Sequence, residues 1–249
     1  MALKLQPTDS MALAPDPASV PVCMSPELPT SWDPLILLID KAQGDTSFDV
    51  IRQLRRFSPI RKIGHAGTLD PMATGLLICL SGRATKLMNH FLGQSKVYVG
   101  TIRLGQTTPS WDAETAVIEE VDASHITNEV LSNAIPDFTG DIVQTTPVYS
   151  AVKVEGERLY QKARRGEKVK LPTRQVTVHS FDILERRGAD VDFEVSCSSG
   201  TYIRSLAHEL GQQLGTGGHL VALRRTAIGE TSVDGAWKVD DLARSWKAQ

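Results

Sequence analysis

Strand-length apolar runs and helix-length amphipathic stripes intermix between residues 35 and 244, without the strict strand-helix-strand alternation that an all-parallel sheet demands. LILLID, Leu35–Asp40, and Leu76–Leu80 are short continuous apolar runs of strand length. Lys96–Leu104, Gln175–Leu184, Val191–Cys197 and Leu220–Ala227 are further strand candidates, the middle two joined by a turn near Gly188. Helical stripes fall over Thr46–Phe57, with Thr46 or Ser47 as cap, over Ala84–Leu92, stopped by Gly93, and over Ile203–Leu214. Shorter helices are expected near Val130–Ile135, Leu159–Arg165 and Val239–Arg244, and an acidic loop over 105–125. This pattern predicts an α+β fold with a mixed, largely antiparallel sheet flanked by helices and loops, and no internal repeat.

Six prolines in residues 1–33 break any periodic pattern and predict a disordered arm, leaving one ordered domain over 34–249. The arm has neither the apolar core of a signal peptide nor the arginines of a transit peptide. No apolar run approaches the roughly 20 residues of a membrane helix. Three scattered cysteines, Cys23, Cys79 and Cys197, form no C-x-x-C pair and read as reduced thiols of a cytoplasmic protein. With no H-E-x-x-H spacing either, no metal site is expected.

The net charge of −2 argues nothing for nucleic acid, but its distribution does. Leu104–Val152 contains no lysine or arginine and eight acids. Arg52–Lys62 contains five bases and no acid, and Arg158–Arg174 seven bases against Glu167. Such segregation can give one basic and one acidic face, although charge runs are also what solvated helix faces look like.

Three stretches could carry chemistry. In GHAGTLDPMATG, Gly64–Gly75, glycines permit close approach while Pro71 stiffens the position of Asp70, and no P-loop lysine follows. On these residues alone Asp70 is either a turn former or a reagent. In SSGTYIRSL, Tyr202 and Arg204 open a helix, and an arginine there could pair with a carboxylate and hold it ionised. In SKVYVGTIRLGQTT, Tyr98 offers a flat face on which a base could stack, or simply packs in the sheet.

Taken together, GHAGTLDPMATGLLICLSGRATKL, LLIDKAQG, the Tyr98 strand, TPVYSAVKVEGERLYQKARRGE, CSSGTYIRSLAHELG and GHLVALRRTAIG resemble the TruB-type pseudouridine synthases, in the family's order and over about residues 35–242. The resemblance implies the pseudouridine synthase catalytic fold with a central RNA-binding cleft. It implies that Asp70 is the nucleophile, that Tyr98 stacks on the target uracil and takes part in proton transfer, and that Arg204 pairs with Asp70. It further implies substrate-binding roles for Tyr202 beside that pair, Leu223 at the base pocket, His65 at the extruded nucleotide and Lys41 lining the cleft.

The reaction implied is isomerisation of the T-loop uridine at position 55 of tRNA, without cofactor, after base flipping. The carboxylate could add to C1′, add to uracil C6, or promote loss of the C2′ proton. The two basic segments would grip phosphates. A monomer is expected, with no obligatory protein partner and no membrane. Two other readings are an RNA-binding chaperone that remodels tRNA and the same isomerisation on another RNA such as mRNA. The sequence departs from the family's pattern at Ala42, where proline is usual, and at Pro109 and Trp111, where a small-polar, Asp-rich run is usual. The family's frequent C-terminal RNA-binding PUA domain does not follow: either the sequence stops early or this member relies on its catalytic domain alone, and the expectation is a stand-alone enzyme rather than a guide-RNA relative.

Overall fold

The computed structural model describes residues 14–248 apart from 151, 155, 166 and 168. In chain order the elements are β1 (Val22–Cys23), β2 (Leu35–Lys41), α1 (Ser47–Phe57), β3 (Ile63–His65), β4 (Thr74–Ser81), α2 (Met88–Gly93) and β5 (Lys96–Leu104). Then come β6 (Gln106–Thr107), β7 (Glu119–Glu120), α3 (Asn128–Ala134), β8 (Gly140–Thr145), β9 (Lys153–Val154), β10 (Glu157–Arg158) and α4 (Leu159–Arg164). The chain closes with β11 (Thr173–Arg187), β12 (Asp190–Cys197), α5 (Ile203–Gln213), β13 (Gly218–Ile228), β14 (Thr231–Ser232) and α6 (Val239–Lys247).

One ten-stranded sheet organises the fold, in the order β1-β2-β4-β13-β5-β12-β11-β8, with β3 beside β4 and β14 beside β13. Every pairing in it is antiparallel except β1 with β2 and β4 with β13. The sheet is therefore mixed and largely antiparallel, as the apolar pattern implied.

The unbroken apolar run of β2 follows from cover on both faces. Leu35, Leu37 and Ile39 pack with Val50, Ile51 and Leu54 of α1 and Leu242 of α6. Ile36 and Leu38 pack on the other face with Ala84, Leu87 and Phe91. In β5 and β12 the pattern alternates, because one face packs under α5 around Leu206, Ala207 and Leu210. α1 starts with a reciprocal cap: Thr46 Oγ1 accepts from Asp49 N at 3.0 Å, and Asp49 Oδ2 accepts from Thr46 N at 3.0 Å.

The joint between β4 and β13 is short, pairing only Thr74 with Arg224 and Gly75 with Arg225. Gly75 sits at φ +99°, and a Cβ there would lie 2.2 Å from the Arg225 carbonyl oxygen, so only glycine lets the strands close at this point. The Asp70 loop feeds directly into this joint.

Three differences from expectation stand out. The proline-rich arm is not free from Ala14 onward: Pro17–Ser19 form a 3₁₀ turn, β1 pairs parallel with Ile36 and Leu37, and Trp32 is 4% exposed. Residues 1–13 lie outside the described residues. Proline fixes φ without forbidding an extended edge segment, and Val20, Cys23 and Trp32 supply enough apolar surface to cover the sheet end. The helix expected over 84–92 begins as a 3₁₀ turn, Gly82–Leu87, before α2. The acidic loop contains the β6–β7 ribbon.

Candidate active site

The loop from Ala66 to Ala73 is held from several directions. Ser47 Oγ, buried at the start of α1, accepts from Leu69 N at 2.8 Å and donates to Leu69 O at 3.2 Å. Lys41 Nζ donates to Pro71 O at 3.3 Å, and Gly44 N donates to the same oxygen at 2.8 Å. The Arg225 guanidinium donates to Gly67 O at 3.1 Å and Leu76 O at 2.8 Å. Met72 N donates to Glu114 Oε1 at 3.2 Å. The backbone on both sides of Asp70 is thus fixed by groups from four other segments, which is how a site is preorganised.

Asp70 opens onto a cleft of about 370 Å3 lined also by Tyr98, Tyr202, Arg204, Leu223 and Arg225. Arg204 Nε lies 2.9 Å from Asp70 Oδ2, an ion pair whose N–H is not aimed along the contact. The same guanidinium reaches Asp112, with Nη1 3.5 Å from Oδ2, and donates to Ser110 O at 3.2 Å and Tyr149 O at 3.1 Å. Arg204 therefore sits between two carboxylates. Asp112 is 1% exposed, and its Oδ1 accepts from Ser110 Oγ at 2.5 Å and Glu114 N at 3.0 Å.

The Asp70 side chain is 36% exposed at the cleft mouth yet walled by protein elsewhere. Burial pushes its pKa up, Arg204 opposes, Asp112 adds to the rise, and Lys41 opposes weakly. The expected stabilisation of the anion by Arg204 is present, but burial outweighs it. Tyr98, 8% exposed, has its phenol pushed up by burial, against the pull of Arg225, so it stays protonated at neutral pH.

Tyr98 and Leu223 reach the cleft from neighbouring strands because β5 and β13 pair in antiparallel register, Gly100 opposite Leu223. Tyr202 precedes α5, locked by a two-way bond with Gln144: its N donates to Oε1 at 2.9 Å and its O accepts from Nε2 at 3.0 Å. The Arg174 guanidinium lies 4.7 Å over the Tyr202 ring.

Two expected cleft residues stand elsewhere. Lys41 does not line the Asp70 cleft: it is 1% exposed, and its ammonium is used up on backbone carbonyls of Ala42, at 2.9 Å, Asp45, at 2.7 Å, and Pro71. A buried ammonium needs such partners, so the lysine anchors the loop from behind. His65 closes β3 opposite Cys79 and is not part of the cleft wall; burial pushes its imidazole pKa down, so it is neutral there.

Of the basic segments, Arg174 lines the cleft. Arg165 is committed to Glu157 and Glu167, and Arg55 donates to Ile63 O at 2.7 Å. A larger hollow of about 890 Å3 beside the β11–β12 hairpin lies away from Asp70, walled in part by Arg103 paired with Asp190 at 2.7 Å. Among the described residues no group of three or more His, Cys, Asp or Glu is placed to hold a metal ion. Sequence reasoning passed over Ser47, Asp112 and Arg225; Arg225, next to Arg224 in LRRT, had a local signal, whereas Ser47 and Asp112 had none that distinguishes them from caps and surface acids.

The sequence pattern described as TruB family pseudouridylate synthase (N terminal domain) matches residues 55–203, more than half of the chain. The chain belongs to the TruB family. A second pattern, tRNA pseudouridylate synthase B C-terminal domain, matches residues 204–249. The two TruB patterns meet at Arg204, yet Tyr98, Ile203, Leu206 and Leu220 share one core, so both lie in one packed unit.

The tRNA pseudouridine synthase B of Paenarthrobacter aurescens is 50% identical over 214 residues, covering 84% of this chain and 69% of that protein. The tRNA pseudouridine synthase B of Mycobacterium leprae is 48% identical over 219 residues, covering 84% and 68%. Among solved structures, an H/ACA ribonucleoprotein bound to a substrate RNA containing 2′-deoxyuridine is similar with TM-score 0.63 and 27% identity over 86% of this chain. This TruB-family chain spans about half, 54%, of that one.

Proposed function

We propose that residues 34–249, with 14–33 packed on their edge, form one catalytic domain that isomerises uridine to pseudouridine at position 55 in the T-loop of tRNA. The observation that carries this reading is the Asp70–Arg204 pair, 2.9 Å apart, in a cleft walled by Tyr98 and Leu223. The N1–C1′ bond breaks, the uracil turns, and a C5–C1′ bond forms. The C5 proton leaves and N1 gains one, so no oxidant, reductant or group donor is consumed.

Whether Asp70 adds to C1′, adds to C6 or draws off the C2′ proton, it acts as the anion. Tyr98 and Leu223 hold the freed base within reach of C1′, which keeps recombination intramolecular. Arg174 and Tyr202 on the cleft wall suit the flipped nucleotide's phosphate and sugar. One chain supplies Asp70, Tyr98 and Arg204, which suits action as a monomer, and a tRNA substrate suits the cytoplasm.

The test is single-turnover conversion of a T-loop RNA hairpin. Wild type forms pseudouridine and Asp70→Asn does not. Full activity in Asp70→Asn removes Asp70 from the chemistry, and hairpin remodelling without pseudouridine would make the protein a chaperone.

A further inference from the structure

Among the described residues one non-glycine stands at positive φ: Trp111, at +62°. A bulky side chain is rarely found there, and it persists only where surrounding contacts over-determine it. Those contacts can be named. Trp111 N donates to Thr108 O at 3.2 Å, and Leu220 N on β13 donates to Trp111 O at 3.0 Å. The indole lies flat on the His208 imidazole, ring centroids 4.3 Å apart and planes 6° apart.

His208 is on α5, one turn beyond Arg204, so the stack joins the helix that carries Arg204 to the loop that Arg204 contacts. The residues on either side of Trp111 supply two of that guanidinium's partners: Ser110 O, 3.2 Å from Nη1, and Asp112 Oδ2, 3.5 Å from the same nitrogen. The left-handed turn at Trp111 is what lets a carbonyl before it and a carboxylate after it face one nitrogen.

We propose that the Trp111–His208 stack is a clamp that positions Arg204 against Asp70, and that both are positioning residues for the isomerisation. Neither Trp111 nor His208 lines the Asp70 cleft. Their effect runs through the seating of residues 110–112 against Arg204. The tie to turnover rests on the pseudouridine synthase reading, whereas the effect on Arg204 itself does not.

The experiment uses the whole chain with four variants: Trp111→Gly, which keeps the positive φ and deletes the ring, Trp111→Phe, His208→Ala, and the double variant Trp111→Gly/His208→Ala. The first readout needs no activity. In protein labelled with 15N-arginine, the Arg204 Nε–H signal, assigned with Arg204→Lys, is shifted and loses exchange protection in Trp111→Gly and His208→Ala, and returns in Trp111→Phe. The second is single-turnover conversion of the T-loop hairpin. The rate constant falls about tenfold or more in Trp111→Gly and in His208→Ala. The RNA dissociation constant changes less than twofold, Trp111→Phe recovers most of the rate, and the double variant is no slower than the worse single.

An unchanged Arg204 signal in both Trp111→Gly and His208→Ala overturns the clamp whatever the activity. So do rate losses that multiply in the double variant, or RNA binding that falls as much as rate, which would make Trp111 an RNA contact. A wild type that makes no pseudouridine while the Arg204 signal responds as described refutes the functional reading and leaves the clamp standing.

Discussion

In the proposed role Asp70 must be ionised to react, and its surroundings pull both ways. Because burial raises its pKa above the ordinary 3.8, the carboxylate takes up its proton at a higher pH than a surface aspartate as the pH falls. The reactive anion is lost with it. The single-turnover rate is therefore expected to drop on the acid side with an apparent pKa above 3.8, and a rate still full at pH 3.8 would contradict this environment. Arg204 has a double duty, since it faces Asp112 as well. Arg204→Ala should lower turnover by roughly 100-fold or more while RNA binding falls only modestly. It should also cost about 3–5 kcal/mol of unfolding free energy, because Asp112 is left buried without its cation. Equal losses in binding and rate, with stability intact, would make Arg204 a phosphate contact. That Asp70, Tyr98 and Arg204 meet in one cleft was legible in the sequence, because each sits in a distinctive local string. Asp112 was not: it meets Arg204 only because the loop after Gly105 is seated against β13, with Asp112 bridged to Leu220. Lys41 was misplaced for a related reason, since a sequence does not tell an ammonium facing a cleft from one turned toward backbone carbonyls.

At the scale of elements, the site is built where β4 meets β13. The strand runs and the α1 cap were readable from apolar period and capping chemistry, because these depend on neighbours in sequence. The packing of β1 was not, because two residues of edge strand carry no period, and prolines mask them. The joint itself, two residue pairs long, depends on Gly75. Gly75→Ala would place a methyl 2.2 Å from the Arg225 carbonyl oxygen at φ +99°. Backbone cannot step aside there as a flexible side chain would. Chemical denaturation should show a loss of about 3 kcal/mol or more, together with lost turnover as Arg225 releases Gly67. A variant as stable as wild type would mean that the two halves of the sheet do not need this contact.

Across the whole molecule, three apolar clusters line one continuous sheet, and the cleft opens at the seam between the part carrying the Asp70 loop and the part carrying Tyr98, Arg204 and Leu223. Neither part holds Asp70, Tyr98, Arg204 and Leu223 together, so the cleft is a property of the assembled sheet. Among the described residues of the basic segments, Arg55, Arg165 and Arg52 are engaged within the protein and Arg174 lines the cleft. On the proposed reading, Arg174 and Tyr202 at the cleft mouth are groups that an RNA would meet. The most direct test is to map pseudouridine along a full-length unmodified tRNA after incubation with wild type or Asp70→Asn. Wild type should convert position 55 and no other uridine, and Asp70→Asn should leave position 55 as uridine. Conversion by Asp70→Asn, or a wild type that leaves position 55 untouched, would contradict the assignment of Asp70 as the nucleophile of a T-loop pseudouridine synthase.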